Sequence, residues 1–549
     1  MFILIYLAFL SPLASCMPNR RAPSQIAVTN YVLPLIAAHH PIPITPSSQH
    51  LHKRRPQPLK TAIFPFNSST NPSDINEAIS HIQQDVLTLG GRVYMTNVSL
   101  ANKEYTLVID TGSSDTWIAS TEFVCLSKYS QTALPQGECG FGTLYDRVDS
   151  KTYEGIGGRA FGVRYTDGEF LVGELGRERL GFGGVGVGGE GLKVGQTIGV
   201  VERGWWGGDG ISSGLMGLAY PTLASNSEEL NYTSIVFSLF ENDPSIPPIF
   251  SLALNRPTIQ HPIAGGLLAI GGIPDVKHDG VFISVPIQQV VEDTYAFYSI
   301  EVEGFDIAAP DTSPSSSPSQ GDSTAASSPS PSISPPSPPT HPPTTKPDPH
   351  KKAKAPPAPK PKNKNPHARQ ITRPPNSSPN STIIFSPNLT MVIDSGCTLL
   401  YIPDDIADRI AALFVPRAVF AANTNTYLVP CFAKPPRVGI VIKGRSFYIH
   451  GDDLMNKAPG AVGGGGVGGE GEVGGDGDWD WDEDGGDYEE EGGDGKWKRR
   501  GLGEGRLCTL AVQRQGAGDA VLGDSFLKNV LAVFDLGENV MRFAGREEY

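Results

Sequence analysis

From about residue 91 onward, apolar residues fall in short runs separated by clusters of Gly, Asn, Asp and Ser. Runs of this length, closed by turn-forming residues, predict β-strands. Residues 106–109, 266–270, 281–285 and 532–534 are examples. Helical spacing is rare. The clearest helix follows Pro403, where Asp404 and Asp405 stand at a helix start and Ile406, Ile410, Leu413 and Phe414 recur at helical intervals. The pattern predicts an all-β protein with short helices.

Four stretches stand apart from it. Residues 1–16 form a short apolar run ending in small residues, the pattern of a cleavable secretion signal. Residues 17–90 are basic and without clear periodicity, and include His39, His40 and the cluster Lys53-Arg54-Arg55. They read as a propeptide with a dibasic processing site or as an N-terminal spacer. Residues 309–380, rich in Pro, Ser and Lys, and residues 463–495, rich in Gly and acid, lack the apolar content of a packed core. Both lie between predicted strands, so they read as disordered surface inserts of one domain.

The formal net charge of -14 comes mostly from the acidic run at 470–494, so the folded part is closer to neutral and a nucleic-acid partner is not indicated. Beyond the leader no segment approaches the ~20 apolar residues of a membrane-spanning helix, so no stable membrane insertion is expected once the signal is removed. Sequons at Asn67, Asn97, Asn231, Asn376, Asn380 and Asn388 fit a secreted glycoprotein, with vacuolar or wall-bound locations left open. Cys16 leaves with the signal or propeptide. Cys125 and Cys139 flank a polar loop and are expected to pair, as are Cys431 and Cys508 across the acidic insert. Cys397 remains.

One pattern occurs twice. Val108-Ile109-Asp110-Thr111-Gly112-Ser113 matches Val392-Ile393-Asp394-Ser395-Gly396-Cys397, and each copy is followed by an apolar pair and Gly: Leu215-Met216-Gly217 and Val521-Leu522-Gly523. A duplicated unit predicts two similar lobes with the two aspartates facing each other. Gly112 and Gly396 permit the sharp turn that presents each carboxyl. Thr111 and Ser395 supply hydroxyls that can bond the opposite lobe. Two adjacent carboxyls cannot both ionise, so one keeps its proton. The ionised one can take a proton from water while the neutral one protonates a carbonyl, with no metal or cofactor required.

At these residues the chain resembles the pepsin family, and especially the secreted aspartic proteases of fungi. Asp110 to Trp117, Val521 to Phe526, Val533 to Asp535, Phe543-Ala544 and Tyr427 to Cys431 carry the likeness, which runs from about Gly91 to Ala544 apart from the inserts. The resemblance implies a bilobal acid-protease fold, with an N-terminal lobe over 91–255 and a C-terminal lobe over 256–549. It implies a monomeric aspartic endopeptidase acting on extended peptides at acidic pH through Asp110 and Asp394. Ser113 would support Asp110. The matching position in the second copy is Cys397, where the family has Thr or Ser, and a thiol is the weaker donor. Residues 164–169 resemble the family's substrate-covering hairpin, with Asp167-Gly168 as its turn and Tyr165 bonded to Trp117.

Other motifs carry less. Gly210-Ile211-Ser212-Ser213-Gly214 fits G-x-S-x-G but has neither the strand before it nor the helix after it that a nucleophile elbow needs. Gly181 to Gly186 fits G-x-G-x-x-G with no following helix. No H-E-x-x-H or paired C-x-x-C stands in the chain, which argues against zinc. The rival to a peptidase is a non-catalytic binding protein on the same fold, kept open by Cys397.

Overall fold

The computed structural model describes residues 26–39, 92–165, 168–182, 191–225, 230, 232–256, 264–310, 373–377, 380–422, 425–456, 488–491, 496–499 and 507–546. The chain divides into Met1–Pro310 with Arg373–Tyr549, and Asp311–Thr372. Every described residue belongs to the first of these. Most of the 309–380 insert, and the leader, lie outside the described residues.

Strands dominate, as the apolar pattern predicts. The longest described helices are Ile235–Asn242 and Asp404–Ala412. In the second, Ile406 and Ile410 are buried behind Pro403, which fixes the start of the helix.

A 13-stranded sheet contains the first half of the repeat. Lys103–Asp110 pairs antiparallel with Arg92–Leu100 on one side and parallel with Gly214–Gly217 on the other, with Asp110 opposite Gly217. Gly214–Gly217 then pairs antiparallel with Thr116–Cys125. A 7-stranded sheet repeats this arrangement. Thr382–Ile393 pairs parallel with Ala520–Leu522, and Ala520–Leu522 pairs antiparallel with Leu400–Ile402. Parallel neighbours need long crossovers, which is why each apolar-apolar-Gly segment lies so far from its Asp in sequence.

The larger sheet crosses the expected lobe boundary at 255–256. Ile249–Leu254 pairs with Val530–Asp535, so the end of the chain closes onto strands of the first half. The two long inserts enter where neighbouring strands pair with each other. Ser299–Ala308 pairs with Thr382–Ile393 around residues 309–380, and Met455–Asn456 pairs with Leu507–Leu510 around 463–495.

Two differences from the sequence pattern stand out. Val32–His39, inside the segment expected as propeptide or spacer, is a strand between Arg92–Leu100 and Ala264–Ile270. Leu33, Leu35 and Ala37 are buried. Pro34, exposed between the first two of them, is a residue that normally argues against an interior strand, so the sequence does not announce one here. At the end of the acidic insert, Tyr488–Glu491 pairs antiparallel with Lys496–Arg499, where no regular structure is expected.

Because Leu35 of the strand Val32–His39 is buried in the larger sheet, Leu35→Ala should cost about 2–5 kcal/mol of stability in the full chain, measured by denaturant unfolding. A loss within about 0.5 kcal/mol, the size of a surface change, would place the segment outside the core.

Candidate active site

Each repeat aspartate sits where a buried strand ends. Asp110 is the last residue of Lys103–Asp110, and Asp394 follows Thr382–Ile393 directly. Both side chains are buried. The Gly112 N–H donates to Asp110 Oδ1 at 2.7 Å, and the Gly396 N–H donates to Asp394 Oδ1 at 2.8 Å. A Cβ on Gly112 would stand 2.6 Å from Asp394 Oδ2, and one on Gly396 would stand 2.5 Å from Asp110 Oδ1. Glycine alone leaves room for each turn to lie against the carboxyl of the other half.

The hydroxyls between these groups join the halves reciprocally. Thr111 Oγ1 donates to the Ile393 carbonyl at 2.9 Å and accepts the Ser395 N–H at 2.8 Å. Ser395 Oγ donates to the Ile109 carbonyl and accepts the Thr111 N–H, each at 3.1 Å. All four are buried, where an unmade bond is costly and a made one fixes geometry.

The carboxyls are not equivalent. Burial first, and the charge of Asp110 second, hold Asp394 well above the usual carboxylate range. A hydrogen bond with Asp110 acts in the same direction, and the N–H groups of Gly396 and Cys397 act against it. Ser113 Oγ donates to Asp110 Oδ2. At the matching position, Cys397 lies outside both disulfides and its Sγ donates to the Leu399 carbonyl at 3.4 Å. Cys125 is bonded to Cys139 and Cys431 to Cys508.

Trp117 Nε1 donates to Tyr165 Oη at 2.7 Å, with both rings buried. The Gly168 N–H donates to the Tyr165 carbonyl at 3.0 Å, and the Gly168 φ of 92° is a conformation that favours glycine. Asp167 lies outside the described residues. Among the described residues no cluster of His, Cys, Asp and Glu could hold a metal ion.

Motif reading missed a third carboxyl. Asp524 is 1% exposed, and neither of its carboxyl oxygens has a hydrogen-bond partner among the described residues. Its N–H donates to the Cys397 carbonyl at 2.7 Å. Burial holds it well above the carboxylate range; Lys528 opposes this, and Asp394 and Asp110 add to it. A signal was present in the repeat. The residue after Gly217 is Leu218, whereas the residue after Gly523 is an acid. Behind Asp524, Lys528 Nζ lies 3.1 Å from Asp453 Oδ1, and Arg256 Nε donates to Asp453 Oδ2 at 2.7 Å.

The chain is similar in sequence to known proteins. The sequence model of the eukaryotic aspartyl protease family matches residues 93–322. The chain is 26% identical over 533 residues to a probable aspartic-type endopeptidase of Aspergillus fumigatus, covering 91% of this chain and 94% of that protein. It is 29% identical to rhizopuspepsin of Rhizopus chinensis over 35% of this chain and 42% of that one. It is 25% identical to secreted aspartic protease 5 of Candida albicans over 38% of this chain and 45% of that one.

Asp524 makes a testable contribution to stability. Its folded pKa is raised, so the native state keeps a proton that the unfolded chain releases above about pH 4. The contribution is whole below that pH and is lost as pH rises through the folded value. Asp524→Asn should therefore flatten the fall of stability with pH by up to ~1.4 kcal/mol per pH unit, read from denaturant midpoints. An unchanged slope would mean that the buried carboxyl is not neutral.

Proposed function

We propose that this chain, an aspartic protease by its likeness to the eukaryotic aspartyl proteases, cuts internal peptide bonds with Asp110 and Asp394 acting on one water. The observation that carries the reading is the buried pair itself, with Asp394 biased toward its neutral form beside Asp110. Aspartic protease pairs are the standard case of two carboxyls sharing one proton, and their titration belongs to the pair.

The chemistry follows from that bias. Asp110, as carboxylate, takes a proton from water, and the water oxygen bonds to the peptide carbonyl carbon. Asp394 gives its proton to the carbonyl oxygen, so the tetrahedral species forms without net charge. In the second step the C–N bond breaks. The proton held by Asp110 passes to the leaving nitrogen, and one hydroxyl proton returns to Asp394. The pair ends as it began. Loss of the Asp394 proton at high pH and protonation of Asp110 at low pH both stop the cycle, so activity is bell-shaped with pH and favoured in acid.

The substrate is an extended peptide. Residues 1–16 are read as a secretion signal, and secreted relatives support an extracellular site. Residues 17–90 remain the expected propeptide region, with Val32–His39 filling a sheet position in the full chain. No described helix is long and apolar enough to cross a membrane.

Asp110→Asn and Asp394→Asn should each lower cleavage of an unfolded protein at acid pH by about 10²–10⁴-fold or more, and a pepstatin-type inhibitor should block the wild type. Normal cleavage by either variant would end this reading, and an inactive wild type that still binds the inhibitor would favour the binding-protein alternative. Cys397→Thr places a stronger donor beside Asp394 and stabilises its ionised form. The alkaline limb of the pH–rate profile should move toward acid; an unmoved limb would mean that the thiol only fills space.

A further inference from the structure

The hairpin that presents Tyr165 is tied down by a side chain that the proposed chemistry does not use. Arg164 pairs with Phe170 across the hairpin, and the Tyr165 N–H donates to the Glu169 carbonyl at 2.9 Å. Glu169 is buried, being only 6% exposed. Its Oε1 accepts the Gly207 N–H at 2.7 Å. A buried carboxylate is expensive unless it is well bonded, so its presence beside Tyr165 needs an account.

Gly207 belongs to a turn that cannot easily move. It follows Trp206, whose ring packs edge-on to Trp117 at 5.0 Å and lies 6.0 Å from the Tyr165 ring. A Cβ on Gly208 would stand 2.3 Å from the Gly140 carbonyl oxygen, so the two backbones lie in contact. The Gly210 N–H donates to that same oxygen at 2.7 Å. Cys139, next to Gly140, is bonded to Cys125. The turn therefore rests on a loop closed by a disulfide. Lys128, in that loop, lies against Gly168, whose added Cβ would stand 2.8 Å from Lys128 Cε.

We propose that Glu169 is a positioning residue, whose side-chain oxygen fastens the hairpin to the Gly207 turn and so keeps Tyr165 in its bond to Trp117. The inference rests on the peptidase reading for its consequence in catalysis but not for the tether itself. A hairpin held only by its own two strands pivots at its base. A bond from the residue just before its second strand to a disulfide-anchored turn removes that freedom before substrate arrives, which is the kind of preorganisation that lowers the cost of binding. The bond to the Gly207 N–H needs an acceptor oxygen, which the amide of Gln also supplies.

The test compares Glu169→Gln with Glu169→Ala in the full chain. Glu169→Ala should lose about 10- to 100-fold in kcat/KM, with KM bearing most of the change, while Glu169→Gln stays near wild type. Backbone hydrogen exchange at Gly207 and Tyr165 should speed up in Glu169→Ala and not in Glu169→Gln. Equal kinetics and exchange in all three proteins would overturn the proposal, as would a Gln variant as impaired as the Ala variant. Should the wild type fail to cut peptides, the exchange comparison still decides the tether, and the fault lies with the reading of the aspartate pair.

Discussion

The exchange of hydroxyl bonds between Thr111 and Ser395 is the constraint on which the arrangement depends. Each side chain donates to a carbonyl of the other half and accepts an N–H from it. With four buried bonds meeting at one place, the two strand ends have a single relative position. Gly112 and Gly396 then let the turns close to contact distance from the opposite carboxyls. The repeated strand order serves this junction. In each half a parallel neighbour supports the strand that ends at the aspartate.

Closing the junction gathers buried carboxyls, with Asp110 and Asp394 both acting on Asp524. Asp394 and Asp524 are both pushed toward their neutral forms by burial before any other cause acts. Asp110 alone receives both a hydroxyl donor, from Ser113, and a backbone donor, from Gly112, to its two oxygens. That difference in donors supports the proposed roles, with Asp110 ionised and Asp394 protonated. Lys528 answers the charge behind the pair, and it is itself held by Asp453, which also pairs with Arg256. The second half therefore carries a charge network that the first half does not need, since Leu218 stands where the second half has Asp524.

Much of this was legible from residues alone because the repeat is short and its chemistry is local. An Asp, a hydroxyl residue and a Gly after an apolar run state what the turn must do. The helix after Pro403 was equally plain, since its start signal and its spacing agree. The strand Val32–His39 was hidden because Pro34 contradicts the local rule and only pairing with distant residues overrides it. Asp524 lies inside the closing motif Val521 to Phe526, and the absence of hydrogen-bond partners for its carboxyl among the described residues comes with burial, which no motif reports. Glu169 looked like an ordinary hairpin residue, because its partner Gly207 lies in a different turn of the chain.

The central claim is that one proton is held between two buried carboxyls, and on Asp394 in particular. Infrared difference spectroscopy of the carboxylic acid C=O stretch tests it most directly, run near the activity optimum in an Asp524→Asn background so that this third buried carboxyl does not contribute. The account predicts a protonated-carboxyl band that disappears when Asp394 is changed to Asn. A spectrum with no such band, or a band that survives that change, would contradict it.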